Sequence, residues 1–269
     1  MTDPRYTVNC SILLTDLPLL ERPAAAKAAG FDGVEFWWPF ASSVPSKDEE
    51  DAFVAAIADA GVQLTGLNFN AGNMPGGERG LVSWPERAQE FRDNFDAVTR
   101  IGERTGCQGF NALYGNRLEG VAPQEQDEIA TENLALAAQA VARVGGTVLV
   151  EPVAADTYPL KTAADAIAAM DRAGESNLGL LFDVYHLATN GDDVDAARKR
   201  YADRIGHVQI ADAPGRDQPG TGNAPIARWT QDLLAGGYDG WFGLEYKPAS
   251  ESSQADPFAW LPREARGSN

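Results

Sequence analysis

Leu178-Gly-Leu-Leu-Phe-Asp183 is an apolar run closed by a carboxylate. Its length and composition are those of a buried strand, and its last side chain carries a metal-binding oxygen. Three more runs in the second half of the chain repeat the pattern: Thr147-Val-Leu-Val-Glu151, Ile205-Gly-His-Val-Gln209 and Trp241-Phe-Gly-Leu-Glu245. The stretches between them read as helices, so strand and helix alternate. In a parallel barrel every strand points the same way and the C-terminal ends meet at one rim. Glu151, Asp183, Gln209 and Glu245 then converge, although the chain separates them widely.

Working outward, strand signals recur at Thr7–Ile12, Gly33–Trp37, Gln63–Phe69, Gly109–Leu113, Thr147–Val153, Leu178–Asp183, Gly206–Ile210 and Phe242–Tyr246. Helix signals lie between them. Ser46-Lys-Asp-Glu49 is a capping box, with Phe53 and Ile57 one turn apart and a stop at Gly61. Pro123 suits a first helical turn, and Leu134, Ala137, Ala138 and Val141 form the apolar face before Gly145-Gly146. Thr162-Ala-Ala-Asp165 opens another helix, which runs to Gly174. Pro18 and Pro23 both fall in the first helical stretch, which is expected to start late or kink. These elements predict an α/β protein, a TIM (β/α)8 barrel formed as one domain over residues 1–269. Two Gly/Pro-rich connections, Asn70–Pro85 and Ala211–Pro225, follow strands and are expected on the catalytic rim.

Composition bounds the partners. The chain has 39 acidic and 22 basic residues and a net charge of −17, which disfavours a nucleic acid or an anionic membrane. Cys10 and Cys107 are the only two cysteines and have no CxxC partner. They read as reduced core residues of a cytoplasmic protein. No apolar signal core follows Met1, and no run approaches the length of a membrane span.

One acid at a strand end proves little; four oxygen donors on four consecutive strands carry the weight. Three carboxylates brought together raise one another's pKa, and a divalent cation removes that cost. With all-oxygen donors, Mg²⁺ or Mn²⁺ suits the set Glu151, Asp183, Gln209 and Glu245 better than zinc. Polarisation of a carbonyl and its neighbouring hydroxyl makes the proton on the intervening carbon removable. One of Glu151 and Glu245 can take that proton and the other can return one at the adjacent carbon, through an enediolate. No organic cofactor is needed. The two histidines of the chain both lie in these motifs. His186 is positioned to hydrogen-bond a substrate oxygen, whereas His207 is expected to be buried and structural.

Read together and in order, Gly33-Val-Glu-Phe36, Gly77-Glu-Arg-Gly80, Leu149-Val-Glu-Pro152, Asp183-Val-Tyr-His186, Gly206-His-Val-Gln-Ile-Ala-Asp212, Pro219-Gly-Thr-Gly222 and Gly243-Leu-Glu-Tyr-Lys-Pro248 resemble the hydroxypyruvate isomerase family, within the xylose-isomerase-like barrels. The resemblance implies a homo-oligomeric isomerase interconverting hydroxypyruvate and tartronate semialdehyde. It also implies Glu151 and Glu245 as the acid/base pair and Glu151, Asp183, Gln209 and Glu245 as metal ligands. Alternatives with the same cage are a 2-oxo-tetronate isomerase, a ketose 3-epimerase and a sugar dehydratase. A hydroxy-oxo acid needs a basic group at the mouth, and Arg216 is the first choice because its fork matches a carboxylate. Lys247 is second, and Arg79 is assigned to a lid or a subunit contact. Asn68 and Glu35, at the ends of strands three and two, are expected to face the mouth, Glu35 orienting a ligand from behind. Trp37-Trp38-Pro-Phe40 supplies an aromatic pocket side or an oligomer contact. Where family members often have a His-Asn-Leu-Pro segment, this chain reads Leu67-Asn-Phe-Asn-Ala-Gly-Asn-Met74, and Asn223 stands where an acid is common.

Overall fold

The apolar runs form parallel strands that close on themselves. In the computed structural model, which describes residues 3–247 and 256–267, the order is β1 (Arg5–Asn9), β2 (Gly33–Phe36), β3 (Gln63–Asn68), β4 (Gly109–Asn111), β5 (Thr147–Val150), β6 (Leu178–Asp183), β7 (Ile205–Ile210) and β8 (Trp241–Leu244). Each strand pairs in parallel with the next, and β8 pairs with β1. The helices between them are α1 (Arg22–Ala28), α2 (Lys47–Ala60), α3 (Ala88–Asp93), α4 (Phe95–Thr105), α5 (Pro123–Ala142), α6 (Ala163–Ala173), α7 (Val184–Thr189), α8 (Val194–Arg200) and α9 (Ile226–Ala235). This is the TIM (β/α)8 architecture.

Local chemistry sets the helix ends. Ser46 Oγ accepts from the Glu49 amide at 3.3 Å while Glu49 Oε2 accepts from the Ser46 amide at 2.9 Å, so α2 starts on the expected reciprocal cap. It stops at Gly61 in the left-handed region. Thr162 and Asp165 cap α6 in the same way. The first helix does start late. A short 3-10 turn, Leu19–Glu21, precedes it, and Pro23 occupies its first turn, where no amide donor is needed.

Several strands are shorter than their apolar signal, for identifiable reasons. β1 ends at Asn9 because the Asn9 carbonyl accepts from the Leu13 amide at 2.9 Å, turning the chain out of the ladder before Ile12. β5 ends at Val150 because Pro152 has no N–H to offer a neighbour. Glu151 and Glu245 therefore sit one residue past β5 and β8. Asp183 is the last residue of β6, and Gln209 is the penultimate residue of β7.

Helix-facing strand side chains and the apolar helix faces form the core, with Phe36, Phe40 and Phe53 in edge-on contact and Phe69, Phe91, Phe95 and Phe110 in a second cluster. Both cysteines are free and buried, Cys10 just after β1 and Cys107 just before β4; burial pushes the Cys107 thiol up to about 12. No helix among the described residues is long and apolar enough to cross a membrane.

Candidate active site

Register brings the polar strand ends to one level: Asp183 pairs with Gln209, Gln209 with Gly243, Asn9 with Glu35, and Asn68 with Asn111. Glu151, Asp183, His186 and Glu245 are buried, and each contributes an atom to a group lying within 4.8 Å of one another. The expected convergence of the three carboxylates is present. Each is aimed by its neighbours. Asp183 Oδ1 accepts from the amides of Tyr185 (2.8 Å) and His186 (3.1 Å), capping α7, which turns Oδ2 towards the other acids. Glu151 Oε2 accepts from Asn111 Nδ2 at 2.7 Å. Glu245 Oε1 accepts from Asn9 Nδ2 (3.0 Å) and Trp37 Nε1 (2.7 Å), and its Oε2 accepts from Arg216 Nη2.

Crowding these acids in a dry site shifts them all. Burial, then the charges of Glu245 and Asp183, holds the Glu151 carboxyl well above its ordinary range. Asp183 is pushed up to about 7 by burial and by Glu245, against the opposing pull of Arg216 and two backbone amides. Burial raises Glu245 as well, with Arg216 working the other way. Burial alone would weaken the Arg216 guanidinium's hold on its proton, but Glu245, Asp183 and Glu151 outweigh it. Burial and the two nearby cations Arg216 and Arg79 drive His186 well below its usual value, so its ring is neutral.

The histidine's tautomer follows from its backbone contact. Nδ1 accepts from the Ala154 amide at 3.1 Å, which leaves the single ring proton on Nε2. That N–H lies 3.7 Å from Glu151 Oε1 and 3.9 Å from Asp183 Oδ2. His186 thus presents a hydrogen-bond donor to the site rather than a lone pair.

The buried acidic group is able to hold a metal ion, and the donors fit a hard divalent cation. Asp183 Oδ2 and Gln209 Oε1 are buried without a hydrogen-bond partner, a costly state for oxygen donors unless something polar faces them. Gln209 is locked in that orientation because its Nε2 donates to Glu35 Oε1 at 2.7 Å. Glu35 also accepts from Asn9 Nδ2 at 3.1 Å and pairs with His207 Nε2 at 2.7 Å. Gly243 leaves room for this floor, since a Cβ there would lie 2.7 Å from Glu35 Oε1 and 2.9 Å from Gln209 Cγ.

Above the acids opens a cavity of about 1010 Å³. Asn68, His186, Arg216 and Lys247 line it, as expected, and Trp37, Trp38 and Phe40 form one wall. The Asn70–Pro85 loop contributes Asn70 to Pro75 and Arg79. Two expectations need correction. Glu35 does not line the cavity; it lies beneath Gln209, because its side chain points into the barrel and is used by Asn9, Gln209 and His207. Arg216 does not hold out a free fork. Its Nη2 and Nε both donate to Glu245, to the carboxylate and to the backbone carbonyl (3.3 Å), since three acids outcompete any solvent-side role. His207 is buried against Glu35, as the sequence suggested. Pro248 lies outside the described residues. Sequence reasoning missed Asn9 and Asn111, which aim the two glutamates, and foresaw Trp37 as a pocket side but not its hydrogen bond to Glu245; the signal for the asparagines was an amide closing an apolar run, in Thr7-Val-Asn9 and Gly109-Phe-Asn111.

Residues 23–264 match the family model described as a xylose isomerase-like TIM barrel. A Streptomyces coelicolor protein assigned as a hydroxypyruvate isomerase is 52% identical over 98% of both chains. The 2-oxo-tetronate isomerase of Cupriavidus necator is 37% identical, covering 96% of this chain and 97% of its own. Among solved structures, a Brucella melitensis protein named AP endonuclease, family 2 is similar with a TM-score of 0.86 and 30% identity, over 96% of this chain and 98% of that one. Fold, rim chemistry and these likenesses agree: the chain belongs to the hydroxypyruvate isomerase family of the xylose isomerase-like TIM barrels.

Proposed function

We propose that this isomerase interconverts hydroxypyruvate and tartronate semialdehyde (2-hydroxy-3-oxopropanoate), with Glu151 and Glu245 as the proton-transfer pair. The observation that carries the reading is the gathering of Glu151, Asp183 and Glu245 within 4.8 Å at the floor of an open cavity. Hydroxypyruvate becomes its aldehyde isomer when a proton leaves C3 and another arrives at C2, while the C3 hydroxyl gives up its proton and the C2 oxygen gains one. Two carboxyl groups beside one carbon pair can do both transfers, one as base and one as acid. His186 Nε2–H is placed to donate to the oxygen that gains charge at C2. Arg216 keeps Glu245 in position and balances part of the acidic charge. A divalent cation, Mg²⁺ or Mn²⁺, held by Glu151, Asp183, Gln209 and Glu245 supplies Lewis-acid polarisation of the substrate oxygens when bound. The unpartnered Oε1 of Gln209 and Oδ2 of Asp183 support this ligand set.

A second reading is a 2-oxo-tetronate isomerase. The cavity, about 1010 Å³, has room for one more hydroxymethine group, and a relative of that name is 37% identical. A nucleic-acid substrate is disfavoured by the net charge of −17 and by a chain with two histidines, too few for a histidine-rich zinc cluster. Parallel assays of the purified protein on hydroxypyruvate, 2-oxo-tetronates and neutral ketoses separate these readings. Turnover of the oxo acids is the expected result. Silence on hydroxypyruvate with rapid conversion of a ketose would overturn the proposal.

A further inference from the structure

We infer that Arg79 is the anchor for the substrate's carboxylate, and so the residue that selects oxo acids over neutral ketoses. This rests on the oxo-acid reading above and names the group that would enforce it. Five cationic side chains line the cavity: Arg22, Arg79, Arg87, Arg216 and Lys247. Three are already committed. Arg22 directs Nε, Nη1 and Nη2 at the carbonyls of Leu17, Cys10 and Thr15. Arg87 is paired with Glu78 and Glu90. Arg216 spends its Nε–Nη2 edge on Glu245.

Arg79 differs in what it leaves free. Its Nη1 donates to the carbonyls of Met74 (2.8 Å) and Glu78 (2.7 Å). No other Arg79 hydrogen bond or ion pair occurs among the described residues, so the Nε–Nη2 edge remains for a ligand. That edge is the one that grips a carboxylate with two parallel hydrogen bonds. The obvious internal competitor is turned away: the neighbouring Glu78 carboxylate accepts from Arg87 Nη1 (2.6 Å) and the Asn73 amide (2.6 Å).

The loop also fixes Arg79 in advance. The Gly80 amide donates to Ala71 O at 3.0 Å, and Asn116 Nδ2 donates to Gly77 O at 2.9 Å. Gly80 has φ +109°, and a Cβ there would lie 1.9 Å from the Leu113 carbonyl oxygen, so only glycine lets the turn press against the end of β4. A side chain held this way loses little freedom on binding. Lys247, by contrast, is exposed and solvated.

The test compares matched substrates. Dihydroxyacetone is hydroxypyruvate with the carboxylate replaced by a hydroxymethyl group, and erythrulose bears the same relation to a 2-oxo-tetronate. With Mn²⁺-loaded protein, Arg79→Met should raise KM for the oxo acids by about tenfold to a hundredfold, with little change in kcat. The neutral partners should be handled as by the parent protein. Arg79→Lys, which keeps the charge and loses the fork, should fall between. Equal losses on acids and neutral ketoses, or no loss on either, would overturn the inference while leaving the isomerase reading intact. Selectivity erased by Lys247→Met but not by Arg79→Met would likewise overturn it. If the parent protein converts neither oxo acid, the isomerase reading fails, and calorimetric binding of tartronate decides the anchor. Weaker binding by Arg79→Met supports it, and unchanged binding refutes it.

Discussion

Arg216 and Glu245 are joined twice, by Arg216 Nη2 to the Glu245 carboxylate and by Arg216 Nε to the Glu245 carbonyl oxygen. The arginine reaches this position from the β7–α9 loop with a backbone φ of 61°, uncommon for a residue with a side chain. Asp212 organises that loop by accepting from the amides of Ala213, Gly220 and Ala224. The guanidinium also lies 5.5 Å from the centre of the Tyr185 ring. A strained backbone, a dedicated carboxylate and an aromatic face are spent on placing one positive charge among three negative ones.

Arg216→Met should therefore cost more than its hydrogen bonds. Removing one partner of a buried pair typically costs about 3–5 kcal/mol, because the other charge is stranded. The loss should be largest at high pH, where the acids cannot escape by taking up a proton. Denaturant melts of the metal-free variant at pH 5 and pH 8 check this; equal destabilisation at both would contradict it.

Glu151→Gln and Glu245→Gln should each lower kcat on hydroxypyruvate by about a hundredfold or more, the usual weight of general acid–base catalysis. Circular dichroism should show both variants folded. Full activity in either one removes that residue from proton transfer.

The carboxylate cluster predicts an unusual pH response for the metal-free protein. Asp183 is raised from 3.8 to about 7 in the folded state, so the folded protein holds this proton more tightly than the unfolded chain does. Its stabilising contribution is complete below about 3.8 and is lost as pH rises through about 7. Glu151 and Glu245 shift in the same direction and add to the trend. Mn²⁺ should restore stability at the upper end, by about 2.7 kcal/mol at a hundred times its Kd, and EDTA should reverse the gain. Thermal melts with and without Mn²⁺ from pH 5 to 8 test both halves.

Glu35→Gln should weaken Mn²⁺ binding by about ten- to a hundredfold, the range for partners that orient a ligand. The substituted amide can offer Gln209 Nε2 its oxygen or its own N–H, so the orientation of the Gln209 amide is no longer enforced. Metal titration by calorimetry on folded variant protein measures it; an unchanged Kd would detach Glu35 from the metal site.

The convergence of Glu151, Asp183 and Glu245 was legible because an acid closing a buried apolar run is costly unless it serves a site, and a parallel barrel sends all such ends to one rim. The capture of Arg216 by Glu245 and the withdrawal of Glu35 from the mouth were not legible, because each depends on which neighbour wins a competition for hydrogen bonds. Arg216 sits in a loop that in sequence resembles a free rim, yet three buried acids capture its fork. Glu35 shares the strand-end pattern of the ligands, but Gly243 and Gly66 make space for its carboxylate inside the barrel, where Asn9, His207 and Gln209 engage it. Asn9 and Trp37 both reach Glu245 from the opposite end of the chain, contacts that only the β1–β8 closure creates.

That closure has a consequence for biosynthesis. Asn9 leaves the ribosome well before Glu245, which follows it by 236 positions. A nascent chain lacking the final strand has neither the sealed seam nor the second glutamate. Its competence to turn over substrate must therefore switch on in one step, when the eighth strand docks against the first.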